Sequence, residues 1–332
     1  MGEARRPNGR MQRRLFLLGA AGLAAGAVLR FGRNSLGAGA VGGRDVSFVI
    51  PYAPGGGFDA YVRAVIPALQ EALGVRVLPD NEDGAGGARA ANLLHRARAD
   101  GSTISVVNVP GVLILQRQGT LGFDLLELSW LANMGRDSYG LMVPADSSVR
   151  SLDDLRALGR RRPVKFTCIG PAGTGYSATR IGAHLLDIPA RVIAGYKGTN
   201  DYVVAALRGD GDAAVASLTA LNQFQAAGLI RILATFEASG TLPGVPDATA
   251  LGLPELAQIV QLRPIAAPPG LPAADAATLS DALVRALRDP SVLAWAQRNH
   301  ANLTPDDAVE TRRLLVQQKR FVERWKDFLA AD

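Results

Sequence analysis

The chain has 332 residues, 48% hydrophobic and 20% charged, enough to bury the cores of two domains and unlike a disordered or fibrous chain. Its formal charge of +6 is local: residues 1–40 hold Arg5, Arg6, Arg10, Arg13, Arg14, Arg30 and Arg33 against Glu3 alone, leaving 29 basic and 29 acidic residues elsewhere. A neutral remainder excludes a nucleic-acid footprint, which needs a basic face on the folded domain, and a lone cysteine, Cys168, excludes an intramolecular disulfide.

Residues 1–40 read as an export signal. Gln12-Arg13-Arg14-Leu15-Phe16-Leu17 has the twin-arginine form, and an apolar, small-residue run follows over 18–29. Ala38-Gly39-Ala40 fits a small-x-small cleavage site, which puts the mature, periplasmic start near Val41. A retained membrane anchor is the other reading, but the uninterrupted apolar run is short of the ~20 residues a span needs.

Val46–Ile50 is an apolar run of the kind found in a buried parallel strand. Pro51-Tyr52-Ala53-Pro54-Gly55-Gly56-Gly57-Phe58-Asp59 follows, then a helix over 60–73 with Val62, Val65, Ile66, Leu69 and Leu73 at helical spacing. A strand thus ends in a glycine turn that opens a helix, which aims unpaired backbone N–H groups and a positive dipole end at one point. Glycine lets a guest approach the main chain, and the natural guest is a carboxylate or phosphate. A plain βα turn capped by Asp59 is the alternative reading of the same residues. Valine at Gly57 is expected to crowd the guest and to strain a positive φ angle.

Gly74 stops this helix. A strand over 75–78 leads to a second glycine loop, 80–87, ending Gly84-Ala85-Gly86-Gly87. A helix over 88–99, a turn at Asp100-Gly101, a strand over 104–107 and the loop Asn108-Val109-Pro110-Gly111 come next. Repeated β–loop–α units predict a parallel sheet with helices on both faces and the loops at its carboxyl edge, where such folds bind ligands.

A second unit follows a strand at 139–143. Ser151-Leu152-Asp153-Asp154 is a capping box. A strand over 164–168 meets the third glycine loop, Gly170-Pro171-Ala172-Gly173-Thr174-Gly175, before a helix over 177–186 that begins after Tyr176. The strand 191–194 precedes Gly195-Tyr196-Lys197-Gly198-Thr199-Asn200 and a helix over 201–208; strands at 213–216 and Ile230–Thr235 follow. Proline and glycine cluster over 242–254 and 264–272. The tail is helical, with Leu279, Leu283 and Leu287 on one face and a last helix expected to start with Pro305 at its first position. Short connections return the chain to its starting lobe, so lobe 1 is expected over 45–143 plus 263–332 and lobe 2 over 144–262.

Phe48–Asp59 as a stretch (48–59, FVIPYAPGGGFD), the loop 83–87, Asp100-Gly101, Tyr196-Lys197-Gly198, Gly211-Asp212, Val245-Pro246 and Ala267-Pro268-Pro269-Gly270 occur in order. Together they resemble the solute-binding receptors of tripartite tricarboxylate transporters, the Bug family, over residues 45–332. The resemblance implies a two-lobe, periplasmic-binding-protein α/β fold, a Venus flytrap of parallel-rich sheets flanked by helices. It implies capture of a small carboxylate for a membrane permease, gripped by backbone amides and water. The ligand-binding residues it points to are Tyr52, Gly56, Gly57, Phe58, Asp59, Gly86, Gly87 and Asn108 from one lobe. From the other come Gly173, Thr174, Gly175, Tyr176, Ser177, Tyr196, Gly198 and Thr199. The chain departs from the family pattern at Phe58 and Tyr176, where small hydroxyl residues are common, and at Thr179, where histidine is. The pattern that would name citrate, an amino acid or nicotinate therefore does not carry over. Phe58 and Tyr176 either line an aromatic wall of the cleft or pack against the hinge.

Other classes find less support. Cys168 reads as a small buried hydrophobe. His95, His184 and His300 share no metal-ligand spacing, and neither a metal nor a cofactor is expected. The Gly170–Gly175 turn lacks the P-loop Lys-Ser/Thr, Gly84–Gly87 does not make GxGxxG, no GxSxG elbow is present, and Lys197 reads as a solvated loop charge, so an enzyme is not expected. A monomeric receptor is expected; a periplasmic sensor subunit serving a signalling partner would need the same cleft.

Overall fold

The computed structural model describes residues 43–171 and 173–330; the expected export segment lies outside them. β1 (Val46–Ile50) runs into α1 (Gly57–Leu73), β2 (Val77–Asn81), α2 (Ala88–Arg96), β3 (Thr103–Val106) and α3 (Gly111–Arg117). β2 and β3 both pair parallel with β1, which is why its apolar run has no polar face to show. α1 buries Val62, Val65, Leu69 and Leu73 on this sheet, each worth about 1.5–3 kcal/mol of apolar burial. α1 starts three residues before the expected helix, at Gly57, and ends on Gly74 in the left-handed conformation, as expected.

The next strand differs from the expected short one. β4 (Ser129–Pro144) is 16 residues long. Its first half pairs antiparallel with β9 (Val260–Ala267), its second half with β7 (Ala214–Ser217) and β8 (Ile230–Thr235). The sheet order is β2-β1-β3-β9-β4-β7, with β8 also on β4. β9 runs into the second proline- and glycine-rich stretch and takes in Pro264. Pro264 is accommodated because its partner on β4 is Asn133, beside a register shift between Asn133 and Arg136, so the missing N–H interrupts no regular ladder. Gly135 lies in this irregularity, where an added Cβ would fall 2.2 Å from the Asn302 carbonyl oxygen.

Between β4 and β9 lie α4 (Leu152–Arg161), β5 (Val164–Ile169), α5 (Thr174–Leu185), β6 (Ala190–Tyr196), α6 (Thr199–Leu207), β7, α7 (Leu218–Ala226) and β8. β5 and β6 form a parallel pair. α4 starts with the expected capping box, Ser151 accepting from the Asp154 N–H and Asp154 reaching back to the Ser151 N–H.

The tail forms α8 (Ala273–Leu287), α9 (Pro290–Arg298), α10 (Ala308–Arg324) and α11 (Lys326–Ala330). Leu279, Leu283 and Leu287 join the core of α1 and β1. Pro305 is not the first helical residue. Asp307 caps α10 instead, accepting from the Glu310 N–H, because Asp306 is held by Arg136 and by an isolated bridge to Asn133. The chain end then moves to a second core. Phe321 belongs to the cluster around Phe166 and Ile181, with Trp325 and Phe328 packed against it. Arg180 of α5 donates to the Phe328 and Leu329 carbonyls at 2.9 and 3.2 Å. Among the described residues no helix is long and apolar enough to cross a membrane.

Candidate functional site

The glycine turn between β1 and α1 is shaped from inside by Asp59. Its carboxylate accepts from the Gly55 N–H at 2.9 Å, from Arg63 Nε at 2.8 Å and from Asn81 Nδ2 at 3.0 Å. Burial opposes the carboxylate's charge, but the Arg63, Gly55 and Asn81 bonds outweigh it and hold Asp59 below the usual carboxylate range. Asp59 thus ties the turn to the first turn of α1 without capping the helix, whose N-cap Gly56 has no side-chain bond, and it uses one of the N–H groups expected to face a guest. Helix geometry leaves the N–H groups of Gly57 and Phe58 without intrahelical acceptors. Only Gly55 in this turn has positive φ, at 82°. The strain expected at Gly57 does not apply, and its Cβ position has no protein atom within 4 Å.

Direct bonds carry the site from this turn to the start of α5. The Tyr52 hydroxyl donates to the Gly86 carbonyl at 3.3 Å and accepts from Asn108 Nδ2 at 2.6 Å. Asn108 Oδ1 in turn accepts from Thr174 Oγ1 at 2.9 Å and from Gln261 Nε2 at 3.2 Å. Desolvation pushes the Tyr52 phenol up to about 12, the Asn108 bond pulling the other way, so Tyr52 is a neutral donor at any working pH. Gly87, with φ of 98°, lies against Tyr52, Pro51 and Val112.

On the α5 side, Gly173 and Gly175 are required by packing. A Cβ on Gly173 would fall 2.5 Å from Ile169 Cγ2, and one on Gly175 would fall 3.2 Å from the Tyr202 hydroxyl. Ser177 and Thr179 spend their hydroxyls inside the helix, on the Thr174 and Gly175 carbonyls. Thr174 is thus the hydroxyl of this turn that faces across. The rings of Phe58 and Tyr176 keep different company. Phe58 packs on Tyr52, with centroids 5.1 Å apart, and lies under the Arg263 guanidinium; Tyr176 lies under Arg180, whose guanidinium also lies over the Phe328 ring. Tyr196 donates to Asp210 at 2.8 Å, and among the described residues no hydrogen bond joins Tyr196, Gly198 or Thr199 to the Tyr52–Asn108–Thr174 chain.

Three residues of this region escaped the sequence reading: Asp137, Gln261 and Arg263. Arg263 Nη2 donates to Asp137 Oδ2 at 3.1 Å and to Gln261 Oε1 at 3.2 Å. Arg263 and Asp137 are 5% and 1% exposed, a buried pair on β9 and β4. Burial alone would depress the Arg263 pKa, but the Asp137 charge raises it above the ordinary value and keeps the cation. Arg263, a lone charge in the apolar run 260–267, was the available signal; what the sequence lacked was that Asp137 lies on the neighbouring strand.

The arrangement presents helix-start amides, neutral hydroxyl and amide donors and a buried cation, which suits holding an anion. Comparisons with known proteins agree with that chemistry. The model of the tripartite tricarboxylate transporter family receptors matches residues 61–331. A Cupriavidus necator protein, the UPF0065 protein in the gbd 5′ region, is 30% identical over 260 residues, 75% of this chain and 76% of its own length. MatC of Rhodopseudomonas palustris, solved with bound malate, superposes with a TM-score of 0.72 at 21% identity, over 86% of this chain and 98% of its own. Another R. palustris structure, with adipate, superposes with a TM-score of 0.74 at 22% identity, over 86% and 97%. The α/β fold is the two-lobe one of periplasmic binding proteins, and the chain belongs to the tripartite tricarboxylate transporter receptor family.

Proposed function

We propose that this protein is the extracytoplasmic receptor of a tripartite tricarboxylate-type transporter and closes on a small carboxylate. The observation that carries the reading is the pair of facing helix starts. The open Gly56–Gly57 turn of α1 and the Gly173–Thr174 start of α5 are linked through Tyr52 and Asn108, so that one carboxylate can meet donors from both. Each charge-assisted bond from such a donor contributes on the order of 1.5–3 kcal/mol. Gly56, Gly57, Phe58, Gly86, Gly87 and Asn108 form one wall, and Gly173, Thr174, Gly175 and Tyr176 the other. Tyr196, Gly198 and Thr199 stand at its margin, and Asp59 and Ser177 are framework. The lobes are residues 45–143 with 263–332, and 144–262, with Phe321, Trp325 and Phe328 near the chain end packed on the core of the second. The malate and adipate of the two R. palustris proteins are ligands of the same chemical class.

The twin-arginine segment delivers the chain to the periplasm with cleavage near Ala40, and the folded receptor is monomeric and serves a permease. A sensor partner would use the same cleft; co-purification with a permease rather than a sensor kinase separates the two. The test of binding is a thermal-shift screen against mono-, di- and tricarboxylates. A carboxylate at ~100 times its dissociation constant should add about 2.7 kcal/mol of stability. Gly57→Val should fold normally and lose that shift, since the added side chain enters open space where the guest would lie. No shift with any carboxylate, or an unchanged shift in Gly57→Val, sinks the proposal.

A further inference from the structure

Arg263 holds donors that the protein leaves unused. Its Nη2 is occupied by Asp137 and Gln261, but Nε and Nη1 are buried and have no partner among the described residues. Buried guanidinium N–H groups are almost always satisfied, because stranding them costs free energy. The neighbouring rings do not supply the lack. Arg263 lies 4.4 Å from the Tyr61 ring centroid and 5.4 Å from that of Phe58. Aromatic faces attract the cation but are weak acceptors for its N–H groups.

These open donors cluster at one place: beside the Phe58 ring at the start of α1, and joined through Gln261 to Asn108 and Thr174. Asp137 neutralises one edge of the cation and fixes its orientation, so the remaining donors are pre-positioned for an acceptor that arrives with its own charge.

We propose that Arg263, with Nε and Nη1, is a specificity residue of the cleft that takes a second anionic group of the ligand. The preferred ligand is then a short dicarboxylate with one carboxylate on the α1 turn and the other at Arg263. This rests on the carboxylate-receptor reading and narrows it. Within it, a monocarboxylate of equal length fills the turn but leaves the Arg263 donors stranded.

The test is calorimetric titration of the purified protein with succinate, glutarate and adipate, each paired with its monoamide. For at least one pair the dianion should bind tenfold or more tighter than the monoamide. The double variant Arg263→Met/Asp137→Asn removes both charges together and so strands neither. It should bring the two members of that pair within about twofold. Equal binding of dianion and monoamide in the wild-type protein overturns the role of Arg263 and leaves the turn as a carboxylate site. A double variant that keeps the preference overturns it too. If neither member of any pair binds, the carboxylate reading itself fails and this inference with it. Should the double variant not fold by circular dichroism, the wild-type pairs alone decide.

Discussion

Asp59 makes the residue-scale argument sharp, because one carboxylate holds Gly55, Arg63 and Asn81 at once. Its folded pKa is depressed, so its stabilisation is complete above the unfolded value near 4 and is lost as pH falls through the lower folded value. Asp59→Asn should therefore cost about 1–2 kcal/mol at neutral pH, and the gap from wild type should shrink as pH drops from about 5 to about 2. Urea midpoints across that range read it directly; a gap independent of pH would assign the loss to shape and not to charge. At this scale the sequence was legible where residues act on near neighbours. The Asp59 bond to Gly55 and the Ser151 box needed only their own turn. Asn108 and Thr174 were named separately, but the bond between them joins residues 66 apart, and no local pattern encodes it. Arg263 and Asp137 were missed for the same reason, being 126 residues apart.

Elements were legible when their period was clean. α1, β5, β8 and the leucine face of α8 follow from spacing alone. β9 was hidden by Pro264, and the first half of β4 by the polar stretch Arg136-Asp137-Ser138, because an irregular ladder tolerates what a regular one forbids. α7 was missed as well, its buried side being only Leu218 and Leu221. The start of α5 offers the test at this scale. Gly173 has an extended φ of −96°, so its conformation is open to any residue, and the requirement is space. Gly173→Ala should push Ile169 or the first turn of α5 aside, destabilise by about 1–3 kcal/mol and weaken ligand binding through the displaced Thr174. Gly198→Ala, with no atom within 4 Å of its Cβ position, should do neither. Paired melting curves and titrations of the two variants separate packing from mere loss of glycine.

For the whole molecule, charge placement sets the first expectation. The surplus of arginine belongs to residues 1–40, and Arg13→Lys/Arg14→Lys should leave uncleaved protein in the cytoplasm, as fractionation and a mass measurement would record. Normal periplasmic delivery of that variant would remove the twin-arginine assignment without touching the receptor reading. The bonds that run Tyr52–Asn108–Thr174 bear on how such a receptor lets go of its cargo. They are made between protein groups, so a carboxylate oxygen that reaches the Thr174 hydroxyl or the Asn108 amide displaces a bond instead of adding one. Binding there is an exchange, and its net gain is the difference between two similar terms, about 0.5–1.5 kcal/mol rather than the full value of a hydrogen bond. Release runs the exchange backwards. The leaving anion is replaced at once by the old partner, no donor is stranded on the way, and the barrier to handing over the cargo falls with the affinity it gave up.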